Sequence, residues 1–260
     1  MIYIERTEVA TDKAPLVLWD NIFLDGTVTA STEAADAPVE NALTDSTWDY
    51  WQPTTTSGTV SLTLGSSTTA SALGIAAHDL GSKGATVTVK RGATTVATVN
   101  PTDDTPILIL FTSASSTTWS VEITGASAAF SIGNMILGVP TVFESGVVPA
   151  YTPLYMSETV ELLQNQSLGG QFFQNRVIRK SAETSIQLNI LERSFIEGAT
   201  FQNFRNYYND GSAFYWAAGP SVFGDDVAFC RRTSGGELRP TFESNGIFYR
   251  VGLQLEAYIG

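Results

Sequence analysis

The sequence predicts a mainly β protein, in which an antiparallel β-sandwich precedes a second, barrel-like β domain that carries one α-helix. Its 260 residues suffice for one large β domain or two smaller ones. Before residue 140, short β-branched segments alternate with turn residues and show almost no helical periodicity. This pattern favours an antiparallel sandwich over a parallel α/β sheet.

The predicted strands of the first half follow one another at short intervals. Residues 1–13 alternate and then become polar, as in a short strand or arm. Residues 59–64 alternate apolar and hydroxyl side chains, which predicts a strand with one buried face. Residues 72–78 are almost all small or apolar, as in a central strand buried on both faces. Two β-branched segments around Gly92 predict a hairpin.

The composition changes after residue 140. Pro140, Pro149 and Pro153 fall close together, which is typical of a linker. Beyond them Gln, Asn, Arg and aromatic residues replace Ser and Thr. The predicted organisation is an N-terminal strand or arm at 1–13, a β-sandwich at 14–140, a linker at 141–156 and a second β domain at 157–260.

A change of period marks the predicted helix. Ile186, Leu188 and Ile190 occupy one face of an alternating segment at 184–192, which predicts a strand. A capping box at Ser194 then predicts a helix at 194–209. The residues at helical spacing are Ile196, Ala199, Asn203, Phe204 and Tyr207.

Charge and composition exclude several classes of function. The formal charge is −12, and such a surface repels phosphate, so we expect no nucleic-acid binding. Cys230 and His78 are the single cysteine and histidine, which excludes an intrachain disulfide and a Cys/His zinc cluster. We expect no cofactor and no metal. No signal peptide or bilayer-length apolar run is present, so we expect cytoplasmic synthesis without membrane insertion.

The stretch at 41–53 concentrates aromatic and carboxylate side chains before a proline. A sugar site needs a flat aromatic face with hydrogen-bonding groups nearby. The alternative is that this stretch closes the end of the sandwich. Both interpretations stay open for Tyr50 and Trp51. The candidate glycan contacts are Asp45, Asp49, Tyr50, Trp51 and Gln52.

Residues 14–140 resemble the galactose-binding-like, or discoidin-type, jelly roll. The segment from Asn41 to Asp45 and the pair Thr47-Trp48 are similar to that family's signature A-L-D-G followed by T-x-W. Residues 59–64 and 73–80 are similar to the strands that come next. Ile132 to Met135 is similar to the closing strand. The resemblance implies a jelly-roll sandwich, whose end loops bind glycans in many members and whose role is structural in others. It also implies burial of the tryptophan after the threonine, so burial is favoured for Trp48.

The same domain occurs in virion proteins of tailed bacteriophages. In the second half, strands, one helix and further strands follow in an order that resembles the tail-tube and distal-tail proteins of such phages. This resemblance implies assembly of copies into a ring by head-to-tail contacts. It also implies other tail proteins as partners and the virion tail as the final location.

Arginine and aromatic side chains are concentrated in the second half. Both are enriched at protein interfaces. A basic patch on an acidic protein favours pairing with a neighbouring subunit's acidic surface over nucleic acid. The candidate interface residues are Arg176, Arg179, Phe201, Tyr207, Tyr208, Arg231 and Arg232.

Catalysis is not expected. Asp79 directly follows His78, and neighbouring strand residues point to opposite faces, so a base oriented by that carboxylate is disfavoured. The carboxylate pairs at 103–104 and 225–226 lie in turn-like segments, which more often cap turns than converge across a cleft. The chain is therefore predicted not to be an enzyme.

Two functional hypotheses follow. The first is a structural component of a phage tail, near the tail tip or baseplate, that assembles through its second domain and carries the sandwich outward to contact host glycans. The alternative is a glycan-binding protein without a role in ring assembly.

Overall fold

The protein is mainly antiparallel β, which confirms the predicted fold class. A computed structural model describes residues 1–143, 151–243 and 247–258, apart from the Arg179 side chain. Part of the predicted linker therefore lies outside the described residues. Within them, the strands are β1 (Ile2–Glu5), β2 (Leu16–Leu18), β3 (Gly26–Ala30), β4 (Gly58–His78), β5 (Thr86–Arg91), β6 (Thr94–Val99), β7 (Ile107–Thr124), β8 (Ile132–Gly138), β9 (Thr141–Val142), β10 (Glu158–Leu163), β11 (Arg176–Glu192), β12 (Phe214–Ala217), β13 (Val227–Arg232), β14 (Thr241–Phe242) and β15 (Phe248–Ala257).

Two long strands organise the first sheet. Its order is β3-β4-β7-β5-β6, with β8 on β4 and β1 parallel to β7. β4 and β7 pair antiparallel along most of their length, with register shifts after Thr63 and Ala70. Such irregularities bend a strand and increase its twist. The two bent strands consequently contribute to both layers of a sandwich, and the two layers enclose one apolar core.

The alternation within β4 behaves as predicted. Val60, Leu62 and Leu64 are buried, while the hydroxyl side chains between them are not. Farther along, burial becomes continuous because this part of β4 is covered on both faces. Leu73 faces the core of the sandwich, whereas Ala76 faces a second apolar cluster shared with the other sheet.

The second sheet contains strands that come before and after the main sandwich strands in the chain. Its order is β10-β11-β15-β13-β12-β2-β9, with β14 on β15. β2 pairs with β12 and β9, so Leu16–Leu18 belongs to this sheet, although the predicted boundary at residue 14 assigns it to the sandwich. The division of the chain into domains stays a prediction, but its first boundary does not separate the two sheets.

The two sheets pack directly against each other. Their shared cluster joins Ala72, Leu108 and Ile136 of the sandwich to Tyr215 and Phe229 of the second sheet. The fit is close at Gly74, where a Cβ atom would lie 2.5 Å from the Tyr215 ring. A glycine is required there because the aromatic ring occupies the space of a side chain.

The predicted single helix is two helices. α1 (Arg193–Glu197) and α2 (Ala199–Asp210) are separated by Gly198, whose backbone is extended. The side chains of α2 that face the core are Phe201, Phe204 and Tyr208, whereas Ala199 and Asn203 are exposed. The break changes the rotation of the second helix, so a continuous helical spacing from Ile196 selected a partly wrong face.

The predicted alternation also fails at Ile190. β11 and β15 lose register between Leu188 and Leu191, and Ile190 has a φ of +60°. A bulge adds one residue to a strand, so the residues after it change faces. Leu191 is therefore buried in the position expected for Ile190, which is 63% exposed.

Candidate functional site

Trp51 lies entirely inside the sandwich. Its backbone exchanges hydrogen bonds of 2.8 and 3.0 Å with Ile132, and its ring meets Phe130 edge-on at a centroid distance of 5.6 Å. The indole N–H donates to the Thr32 carbonyl at 3.3 Å. Gly58 makes room, because a Cβ there would lie 2.8 Å from the ring. The predicted glycan contact at Trp51 is therefore wrong, since no ring face is open to solvent.

Trp48 shows the opposite arrangement. Its side chain is 88% exposed, although burial was favoured from the sequence. The Ser46 hydroxyl accepts hydrogen bonds from the backbone N–H groups of Trp48 at 3.2 Å and Asp49 at 3.3 Å. A serine that bonds nearby N–H groups favours a turn over a strand. Trp48 consequently stands at the apex of an exposed loop, next to Asp49 and the half-exposed Tyr50.

The apex loop, residues 44–50, is held firmly at its base. The buried Asn134 side chain donates to the Thr44 carbonyl at 2.7 Å and accepts from the Tyr215 hydroxyl at 2.9 Å. The Asp45 carboxylate accepts from the Ala213 backbone N–H at 3.1 Å. These bonds connect the loop to the sandwich and to the second sheet at once. One oxygen of the predicted contact Asp45 is thereby engaged in holding the loop.

The remaining predicted contacts differ in how far their side chains are exposed to solvent. The Asp49 side chain is exposed, and Tyr50 is 41% exposed. Gln52 is partly buried, and its backbone bonds to Ala34 at 2.8 Å and Ala37 at 3.1 Å. Asp49 and Tyr50 are therefore exposed beside Trp48 at the apex of the loop. Gln52 is instead partly buried next to Trp51.

An open cleft of about 410 Å³ lies between the apex loop and the second sheet. Its charged groups are paired around the rim: Lys180 lies 2.8 Å from Glu158, and Arg231 lies 3.4 Å from Glu256. The cleft thus offers carboxylates, cations and hydroxyls together, with mixed polar and apolar walls. The lining includes Asp45, Thr47, Lys180, Arg231, Glu256 and Tyr258.

His78 is a structural histidine. Its Nδ1 accepts a hydrogen bond from the Leu80 N–H at 3.2 Å, so the ring proton lies on Nε2, which donates to the Thr105 carbonyl at 2.9 Å. Burial lowers the pKa of His78 to about 4. Asp79 instead accepts from the backbone N–H of Ser131 at 2.7 Å. The arrangement holds a neutral imidazole as a link between the ends of two strands.

Asp103 and Asp225, one from each carboxylate pair of the sequence, line one pocket of about 250 Å³ beside Met1. Asp103 and Asp104 accept hydrogen bonds from neighbouring turns. Asp226 is buried, accepts from the Tyr151 hydroxyl at 2.7 Å, and burial raises its pKa. Among the described residues, no three His, Cys, Asp or Glu side chains are grouped closely enough to hold a metal ion. No helix within the described ranges is long and apolar enough to span a membrane.

Most aromatic residues of the predicted interface are used inside the chain. Phe201 and Tyr208 are buried in the core of the second sheet, which corrects the prediction that they meet a partner. Tyr207 is half-buried against Trp19 and donates to the Ala213 carbonyl at 2.8 Å. These three aromatic residues of the predicted interface therefore pack within the chain, although other aromatic side chains of this half, such as Phe172 and Phe242, are exposed.

The predicted basic interface residues are dispersed. Arg231 lines the cleft, and Arg232 is partly buried. Arg176 is exposed on the hairpin of β10 and β11, which we name the arm (residues 158–181). Arg179 belongs to the same hairpin, but its side chain lies outside the described part of the chain. Of the described arginine side chains, Arg176 therefore lies on the arm and Arg231 at the cleft.

No family model matches the chain, and no curated protein matches it. Among solved structures, it is similar to chitosan-binding module 1 of a chitosanase/glucanase from Paenibacillus sp. IK-5, with 23% identity over 46% of this chain and 98% of that one, at a TM-score of 0.39. A carbohydrate-binding module from Clostridium perfringens in complex with GalNAc-β-1,3-galactose has 14% identity, coverage of 47% and 99%, and a TM-score of 0.39. The module CBM32 of AlyQ, in complex with 4,5-unsaturated mannuronic acid, has 17% identity, coverage of 46% and 96%, and a TM-score of 0.37.

Sequence reasoning did not select Trp48, the most exposed aromatic ring of the stretch at 41–53. Trp48 was set aside because the resemblance implies a buried tryptophan after the threonine. The available local signal was Ser46, which is placed to close a turn ahead of Trp48. The contribution of Lys180, Arg231 and Tyr258 to the cleft has no local signal, because it depends on how the two sheets pack.

Proposed function

We propose that the protein binds a carbohydrate at the apex loop, with the Trp48 ring as the contact surface. The observation that carries the proposal is a large aromatic ring left almost wholly in solvent on a loop whose backbone is fixed at both ends. Folding gains little from such a ring, because it buries hardly any apolar surface. A ligand that covers the ring supplies the missing burial.

A sugar suits this surface chemically. The C–H groups on one face of a pyranose pack on an aromatic ring, while its hydroxyls need hydrogen-bond partners around the edge. The exposed Asp49 carboxylate and Tyr50 hydroxyl lie beside Trp48 in the chain. Because the loop is fixed before binding, less conformational entropy is lost when a ligand arrives.

The adjoining cleft extends the proposed site. Its volume of about 410 Å³ falls within the range of roughly 300–1,000 Å³ of small-molecule sites. Thr47 and Asp45 belong to both the apex loop and the cleft lining, so one ligand can contact the ring and the cleft together. A chain of two or three sugar units fits this arrangement better than a single unit. The proposal assigns no catalytic step to the chain.

The direct test is a titration with defined oligosaccharides, followed by Trp fluorescence and by calorimetry. Chitosan, uronic-acid and GalNAc-containing oligosaccharides form the panel. We expect at least one of them to bind, and Trp48→Ala to weaken that binding by about tenfold or more. Tyr155→Ala, which removes another exposed aromatic ring away from the loop, is the matched control and should bind normally. Absence of binding across the panel and a broad glycan array would refute the proposal.

A second candidate is a structural subunit of a larger assembly, for which the resemblance to phage tail proteins names a class. The observation that favours it is the arm, whose apolar side chains are exposed throughout. The two functions are compatible, since the arm and the Trp48 ring lie in different segments. Electron microscopy of phage virions labelled with an antibody against this chain tests the tail assignment, and a chain absent from every particle would exclude it.

A further inference from the structure

The apex loop lies within a long segment that has no basic residue. Between Lys13 and Lys83 the chain contains eight acidic residues and neither lysine nor arginine. The only histidine of this segment, His78, is neutral at physiological pH, because burial lowers its pKa to about 4. The charge of this part of the protein is therefore negative throughout, and Asp45 and Asp49 carry it into the proposed carbohydrate site.

These two carboxylates of the loop have no cationic partner among the described side chains. Asp49 is exposed, and no described lysine or arginine lies within ion-pair distance of it or of Asp45. Asp45 accepts its hydrogen bond from a neutral group, the backbone N–H of Ala213, at 3.1 Å. The negative charge of both side chains is consequently left for a ligand to balance.

A further carboxylate adds to the negative potential at the base of the loop. The Tyr207 hydroxyl donates to the Ala213 carbonyl at 2.8 Å, on the same residue whose N–H holds Asp45. Burial raises the pKa of Tyr207, and the Asp45 and Asp20 carboxylates raise it further because both lie near its hydroxyl. Asp20 and Asp45 therefore act together on the potential beside the loop.

The cations of the adjoining cleft do not offset this charge. Lys180 lies 2.8 Å from Glu158, and Arg231 lies 3.4 Å from Glu256, so each cation is balanced by its own carboxylate. With the two loop carboxylates, these groups give the loop and the cleft four negative and two positive charges, a formal charge of −2. An anionic sugar such as a uronic acid would enter against this potential, whereas a cationic ligand is attracted by it.

The exposed ring of Trp48 also favours a cation. The face of an indole ring carries partial negative charge and attracts an ammonium group placed over it. Because the side chain is 88% exposed, a ligand can reach the ring without unfolding the loop. Asp49 is the next residue in the chain, so a sugar that packs on the ring can bring an amino group to its carboxylate. A neutral sugar gains only the apolar contact and the neutral hydrogen bonds.

We propose that the ligand of this site is a glycan with positively charged amino groups, built of amino sugars that are not acetylated. The inference rests on the proposed carbohydrate site and adds the charge of its ligand. One sugar unit packs on Trp48 with its ammonium group at Asp49, and a neighbouring unit places its ammonium group at Asp45, where the loop borders the cleft. Acetylation removes the positive charge, so the N-acetylated form of the same chain is the matched comparison.

Calorimetric titration with glucosamine and N-acetylglucosamine oligosaccharides of equal length tests the charge of the ligand. At mildly acidic pH, where the free amine is protonated, we expect the glucosamine chain to bind about tenfold tighter or more. Its affinity should fall as salt screens the charges. Equal or tighter binding of the N-acetylated chain, or of a uronic-acid chain, overturns this inference while leaving the carbohydrate site in place. Absence of binding by every sugar refutes the carbohydrate site itself.

Charge-neutralising variants separate a built site from general attraction to an acidic protein. Asp45→Asn with Asp49→Asn should weaken binding of the glucosamine chain by about tenfold and leave the N-acetylated chain unaffected. An asparagine at position 45 keeps an oxygen that accepts from Ala213, so the loop stays in place. Glu5→Gln with Glu8→Gln removes two exposed carboxylates at the N-terminal strand and is the matched control, which should bind normally. Equal losses in the two double variants would show that only the overall charge acts, which contradicts the proposal.

Discussion

Trp48 and Trp51 lie three residues apart and have opposite environments. The apex loop carries Trp48 into solvent on a turn closed by Ser46, whereas the segment that follows returns to the sandwich and bridges Ile132. Both tryptophans lie in the same stretch, at 41–53, which is rich in aromatic and carboxylate side chains. Their burial is decided by which backbone groups find a strand partner, and hydrophobicity alone does not distinguish them.

The largest expected effect is on the free energy of unfolding, at the buried Trp51. Trp51→Ala should lower the free energy of unfolding by about 3–5 kcal/mol, because it removes a large buried ring that Phe130 and Gly58 enclose. Urea denaturation monitored by circular dichroism measures the loss. A loss below about 1 kcal/mol would mean that Trp51 is not part of the core and would remove the contrast with Trp48.

His78 lies on the same buried side, where it is the register partner of Ile132. Its pKa is lowered to about 4 by burial, from an ordinary value of 6.5. Between these values the unfolded chain binds a proton that the folded chain does not. The free energy of unfolding should therefore fall as the pH drops from about 6.5 to about 4, by up to about 1.4 kcal/mol per pH unit.

Comparison of urea denaturation at several pH values for the wild type and His78→Gln isolates this contribution. A glutamine can still donate to the Thr105 carbonyl and accept from Leu80, but it does not titrate. The difference in stability between the two proteins should thus change over this pH range only. Parallel pH profiles would show that His78 is not the group responsible.

Asn134 tests the base of the apex loop. Asn134→Ala should lower the free energy of unfolding by about 1–3 kcal/mol, because the hydrogen bonds of the Asn134 side chain with the Thr44 carbonyl and the Tyr215 hydroxyl are both lost. Carbohydrate binding should weaken as well, since the loop is no longer fixed. Tyr215→Phe, which removes only one of the two contacts, should have the smaller effect on the loop. Undiminished binding by Asn134→Ala would show that fixing the loop is not required.

The smallest expected effect on folding is at the exposed ring. Trp48→Ala should change the free energy of unfolding by no more than about 0.5 kcal/mol, as for other surface positions. The same variant should lose carbohydrate binding. A large loss of stability in urea denaturation would place Trp48 in the folded core and contradict the assignment of its ring to a ligand.

Local sequence patterns identified most strands but not their irregularities. The alternation at 59–64 and the continuous apolar run at 72–78 lead directly to the two kinds of burial seen in β4. Ile190 and Gly198 are the exceptions, because a bulge or a helix break shifts every later residue to another face. The rotation of α2 and the exposure of Ile190 depend on such single positions, which periodicity averages over.

By itself the sequence determined the mainly β class and the change of composition after residue 140, because alternation, turn residues and composition are local properties. Only the tertiary structure decided which tryptophan of that stretch is exposed, that Leu16–Leu18 joins the second sheet, and that Phe201 and Tyr208 are core residues. Each of these depends on contacts between residues far apart in the chain. The local pattern of side chains carries little information about such contacts, since the same type of apolar residue occurs both in a core and on a surface.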